Sequence, residues 1–119
     1  PGGPLIGVGK QAEDAALDYL QRQGLTLVVR NYRCRQGEVD LVMEQGRTLV
    51  FVEVRYRSNP RFGGALESVD ARKQAKLLLC AQHYLTRHRL DRPARLDVVA
   101  LTPEAGGVRI KWVQDAFRA

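Results

Sequence analysis

The chain has 119 residues, with 19 Lys and Arg against 13 Asp and Glu, a net charge of +6. Its 45% hydrophobic and 27% charged content is that of a globular protein large enough to fold without disulfides or metal, which excludes a disordered tail. No stretch approaches 18 uninterrupted apolar residues, which excludes a membrane-spanning helix.

The opening PGGPLIGVGK lacks the basic start and long apolar run of a signal peptide, so a cytoplasmic protein with no membrane partner is expected. From Lys10 to Arg22 the apolar residues Ala12, Ala15, Ala16, Tyr19 and Leu20 recur at helical spacing, and Gly24 is placed to stop that helix. Leu25 to Arg33, aliphatic and β-branched, predicts a strand that ends at a Gln36-Gly37 turn. Glu38 to Glu44 alternates acidic and apolar residues, the period of a strand with two unlike faces. After Gln45-Gly46, the run Arg47 to Arg57 is apolar at both parities except for Glu53, which suits a central strand covered on both sides. Asn59-Pro60 and Gly63-Gly64 mark a loop. Ser68 is the expected N-cap of a helix that has Asp70 in its first turn and ends near His88. Arg95 to Thr102 and Val108 to Val113 predict a closing hairpin, followed by a short helical turn over Gln114 to Arg118. The order is α-β-β-β-α-β-β without repeats or linkers, one α/β domain over residues 1–119 with a mixed sheet.

Cys34 and Cys80 stand far apart and form no Cys-x-x-Cys motif, so both are expected as reduced thiols. His83 and His88 are five apart on one helix and make poor zinc partners. Gly9-Lys10 lacks the Ser/Thr and the preceding strand of a phosphate loop, and neither Ser58 nor Ser68 has a base for a serine triad.

The informative hairpin is Glu38 to Arg57. A two-residue turn at Gln45-Gly46 sets Asp40 opposite Phe51 and Glu38 opposite Glu53, so Glu38, Asp40, Glu53 and Arg55 share one side of the sheet. Asp40 and Glu53 are then diagonal neighbours, a result that survives an even shift of register and is destroyed by an odd one. Two carboxylates in a partly buried place call for a positive group between them. A divalent cation with oxygen ligands answers that need and suits phosphodiester hydrolysis. The alternative is a solvent-facing row of charges, with Arg55 and Arg57 as cross-strand partners.

Gly37-Glu38-Val39-Asp40-Leu41-Val42 and Leu49-Val50-Phe51-Val52-Glu53-Val54-Arg55-Tyr56-Arg57 resemble the YraN family of small bacterial proteins. The likeness continues through Phe62-Gly63-Gly64, Lys73, Arg95-Leu96-Asp97-Val98-Val99 and Asp115-Ala116-Phe117. Upstream it includes Gly9, Glu13, Ala16, Tyr19-Leu20, Gly24 and Arg30-Asn31-Tyr32-Arg33. The resemblance implies a restriction-endonuclease-like fold similar to the PD-(D/E)XK nucleases, especially the archaeal Holliday-junction resolvases. It implies Mg²⁺ or Mn²⁺ held by Asp40, Glu53 and the Val54 carbonyl, with Glu13 assisting. Val39 stands where the superfamily motif has proline, and Arg55 holds the position of the motif lysine. Arginine orients water or phosphate but does not give up its proton, so a general-base role does not carry over.

Basic residues around the hairpin, notably Arg33, Arg35, Arg57 and Lys73, would form a footprint for a phosphate backbone if they face one cleft. Tyr32, Tyr56 and Phe62 would either stack on bases or pack inside. The expected activity is metal-dependent cleavage of branched or structured DNA, by a homodimer if two symmetric cuts are made. Two other classes stay open. One is a nucleic-acid-binding module without turnover, which Arg55 keeps alive. The other is an adaptor that docks through Leu77-Leu78-Leu79, although a run of three leucines is more often core.

Overall fold

A computed structural model describes residues 4–57 and 69–118, and of residues 4–8 the backbone alone. The order is α1 (Pro4–Arg22), β1 (Thr26–Cys34), β2 (Gly37–Gln45), β3 (Thr48–Tyr56), α2 (Ala71–Arg87), β4 (Ala94–Glu104) and β5 (Gly107–Phe117). The strands form one mixed sheet in the order β1-β2-β3-β4-β5. β3 pairs parallel with β4 and all other neighbours are antiparallel. The parallel pair needs a crossover, and α2 is that crossover.

The expected α/β order and the central place of β3 are both observed. Side chains of β3 alternate between two cores. Leu49 and Phe51 join Leu77, Cys80, Ala81 and Tyr84 of α2 on one face. Val50 and Val52 join Ala12, Ala16 and Leu20 of α1 on the other. This two-sided burial explains why β3 is apolar at both parities.

Several local expectations are corrected. Helix α1 begins at Pro4 rather than Lys10, since proline fits a first turn whose N–H groups lack helical acceptors anyway. The N-cap of α2 is Asp70, whose Oδ1 accepts the Lys73 N–H at 2.9 Å. Ser68 lies outside the described residues, as do Asn59-Pro60, Arg61, Phe62 and Gly63-Gly64. Gln114 to Arg118 is not helical. Strand β5 runs on to Phe117, because Asp97 takes the Asp115 N–H at 2.9 Å and Phe117 pairs with Leu96.

The cysteines are not separate thiols. Cys34, the last residue of β1, and Cys80, on the buried side of α2, form a disulfide with a Cα–Cα distance of 5.9 Å. Packing of α2 over β1 brings together residues that the sequence holds 46 apart.

Candidate functional site: a buried carboxylate pair

The β2–β3 turn is Gly46-Arg47, with Gln45 paired to Thr48 and Leu41 to Val52. This register differs by two residues from the expected one, an even shift. One step beyond Leu41 and Val52, Asp40 comes level with Glu53 rather than diagonal to it. Asp40 is half-buried, and Glu53 is only 4% exposed.

Regular alternation fails at Asp40. Val39 belongs to the α2-side core and Leu41 to the α1-side core, although two residues apart they should share a face. The partner strand does the same: Arg30 reaches toward α1, Tyr32 packs against Tyr84 of α2, and Asn31 between them has φ of 54°. Asparagine tolerates that left-handed conformation better than most residues. The strands stay paired on either side of this point, Arg30 with Leu41 and Tyr32 with Val39. The switch therefore frees Asp40 from plain alternation. Its Oδ2 accepts the Val54 N–H at 2.8 Å, tying β2 to β3 beside Glu53.

Burial pushes the Asp40 carboxyl up to about 7. The negative charge of Glu53 adds to the rise, the Val54 N–H opposes it, and Glu13 contributes a smaller push. Two cations converge on Glu53 Oε2: Arg55 Nη1 at 3.5 Å from the same strand and Lys73 Nζ at 3.6 Å from α2. The Asp70 cap fixes the backbone from which Lys73 projects.

The structure thus brings together Asp40, Glu53, Val54, Arg55 and Lys73. Sequence spacing placed Lys73 only as a possible phosphate contact; its approach to Glu53 depends on the helical crossover. Glu13 is held at one side. Its Oε1 accepts from Arg30 Nη2 at 2.9 Å, Arg30 Nε at 3.2 Å and Asn31 Nδ2 at 3.1 Å. Glu38 does not join the pair, since its Oε2 receives Arg33 Nε at 3.0 Å. Arg35 is exposed in the β1–β2 turn, and the Arg57 backbone N–H donates to Leu101 O at 2.8 Å. Tyr32 is buried with its hydroxyl 2.6 Å from His83 Nδ1, so it packs, whereas Tyr56 is exposed. Leu77 is buried and Leu78 packs on the core, leaving Leu79 as the exposed leucine of its run.

Residues 12–101 match the model of a family described as uncharacterised protein family UPF0102. The chain belongs to the UPF0102 family. A UPF0102 protein of Methylococcus capsulatus is 56% identical over 93% of this chain and 90% of its own length. Similar relatives occur in Nitrosococcus oceani, 53% identical over 92% of this chain and 90% of the relative, and in Pseudomonas fluorescens, 50% identical over 92% and 91%. Among the described residues of this UPF0102 chain, no helix is long and apolar enough to cross a membrane.

Proposed function

We propose that this UPF0102 protein is a divalent-metal-dependent endonuclease acting on branched or otherwise structured DNA. The carrying observation is the level pair of half-buried Asp40 and buried Glu53, with Arg55 and Lys73 converging on Glu53. The resemblance of the surrounding motifs to the YraN proteins, and through them to the PD-(D/E)XK nucleases, supports this reading. The mixed five-stranded sheet with a helix on each side is compatible with that fold.

The donor set fits Mg²⁺ or Mn²⁺. Among the described residues no group of three or more His, Cys, Asp and Glu gathers as a complete protein cage. Mg²⁺ does not need one, because it commonly binds through one or two carboxylates and keeps its remaining positions for water and phosphate. Asp40 and Glu53 would hold the ion, with the Val54 carbonyl as a further oxygen. When bound, the ion supplies positive charge to a phosphoryl oxygen and acidifies water. The chain itself orients Asp40 through the Val54 N–H and presents Arg55 and Lys73 to an anionic substrate. Arg33, Arg35 and Arg57 would extend the contact with the phosphate backbone, and a homodimer would pair two sites for symmetric cutting.

One observation favours a second reading, a binding module without turnover: Arg55 stands in place of an ionisable lysine. The test incubates labelled four-way junction, flap, single-stranded and duplex DNA with Mg²⁺, Mn²⁺ or EDTA. Asp40→Ala and Glu53→Ala are run in parallel. Metal-dependent cleavage lost in both variants is the expected result. Salt-sensitive binding without cutting under either metal establishes the binding module instead. Neither binding nor cutting leaves the adaptor reading.

A further inference from the structure

Beside the carboxylate pair, the end of β1, the start of β2 and the first turns of α2 border a shallow, open groove of about 370 Å³. Arg33, Cys34, Gly37, Glu38, Lys73 and Lys76 line it. Glu38, the acidic member, is engaged by Arg33. Lys76 is exposed and has no ion-pair partner among the described residues. Lys73 belongs to both places, lining the groove while its Nζ lies 3.6 Å from Glu53. The walls are held together covalently, because Cys34 of β1 is bonded to Cys80, one helical turn beyond Lys76. At the floor Gly37 lacks a side chain, and a Cβ there would lie 3.5 Å from Lys76 Cβ, so strand and helix pass close together.

We infer that this groove is a phosphate subsite, holding a second backbone phosphate of the strand whose reacting phosphate lies at Asp40 and Glu53. Lys76 is its main cation, and Lys73 stands between the two phosphates. The identity of the strand rests on the nuclease reading; the binding of a polyanion in the groove does not. The ligand chemistry is a phosphodiester backbone, since three of the six lining residues, Arg33, Lys73 and Lys76, are cationic.

The affinity of fluorescent single-stranded and four-way-junction DNA, measured in EDTA over a salt series, tests the subsite without requiring cleavage. Each phosphate contact contributes about 0.7 to the salt slope on single strands and about 0.9 on duplex. Lys76→Gln is expected to make the slope shallower by about that amount. Arg109→Gln, on β5 and paired with Glu104, is expected to leave it unchanged. Amine acylation of the unmodified protein gives a mutation-free check: bound DNA is expected to shield Lys76 and Lys73 but not the exposed Lys111 on β5. Equal slopes for Lys76→Gln and the parent, or equal acylation of Lys76 with and without DNA, overturns the subsite even if the protein cleaves. A loss of slope with shielding supports it even if the protein proves not to cut. No binding by the parent at any salt overturns it as well.

Discussion

Asp97 and the Asp40–Glu53 pair are both buried carboxylate sites on the same sheet, and they have opposite surroundings. Asp97, 1% exposed, accepts from Arg95 Nε at 3.0 Å, Trp112 Nε1 at 2.9 Å and the Asp115 N–H at 2.9 Å. Its charge is fully engaged within the protein, where it pins β5 to β4. Glu53 has its two cations at the longer distances of 3.5 and 3.6 Å. Among the described residues Asp40 has one N–H donor and a second carboxylate beside it. Burial of a charge is therefore not the sign of a site. Burial with repulsion left over is, because that remainder is what a cation or a phosphate-bearing complex relieves.

The largest expected effect separates the two regions by activity. Asp40→Asn or Glu53→Gln should reduce metal-dependent cleavage by about a hundredfold or more, in the range seen when one group facing developing charge is removed. Asp40→Asn should not lower the melting temperature, since it removes a repulsion and keeps an oxygen to accept the Val54 N–H. Asp97→Ala should do the reverse in denaturant titration. It should lose about 3–5 kcal/mol by leaving half-buried Arg95, Trp112 Nε1 and the Asp115 N–H without their shared acceptor, and binding of Mg²⁺ by the remaining folded protein should be unchanged. A stable Asp97→Ala protein, or an unfolded Asp40→Asn protein, would break the comparison.

A pH series sharpens it. Asp40 titrates near its ordinary 3.8 when unfolded and at about 7 when folded and metal-free. The folded state then binds more protons between those values, so the Asp40 contribution is fully present below about pH 4 and is lost as pH rises through 7. The stability difference between the parent and Asp40→Asn should follow that course in EDTA. At pH 8, Mg²⁺ should stabilise the parent and leave the variant unaffected. A difference that stays flat from pH 4 to 8 would place the Asp40 pKa back in the ordinary carboxylate range.

Much of this architecture was legible in the residues. The order of elements followed from periodicity, and Glu53 stood out because it interrupts a run otherwise apolar at both parities. The nearness of Asp40 to Glu53 on one face survived a wrong turn because the error was even, Gly46-Arg47 in place of Gln45-Gly46, although the two are level and not diagonal. Counting failed where the backbone departs from regular geometry. The switch at Asn31 and Asp40 moves Val39 and Leu41 to opposite cores, and no period of two contains such a switch. The φ of 54° at Asn31 has a faint signal, since asparagine is one of the residues that tolerates it. The Cys34–Cys80 bond and the approach of Lys73 to Glu53 depend on where α2 crosses the sheet, a tertiary fact that local spacing does not carry.

Glu13 is the residue on which the comparison is finest, and its expected effects are the smallest. The resemblance assigns it to the metal site, yet its Oε1 already accepts from Arg30 and Asn31, as Asp97 accepts from its own partners. Its influence on Asp40 is electrostatic and the weakest of the causes that act there. Glu13→Gln keeps the shape and removes the charge, and Arg30 retains Asp14 at 2.7 Å. The variant should therefore lose about 1 kcal/mol of stability or less, the scale of a hydrogen bond weakened rather than broken. Its Mg²⁺ affinity, read by calorimetry, should fall by less than about tenfold, below the range typical of losing a group that supports a metal ligand. A larger fall would mean that Glu13 leaves Arg30 and turns to the ion when the ion binds. It would then belong with Asp40 and Glu53 and no longer with Asp97.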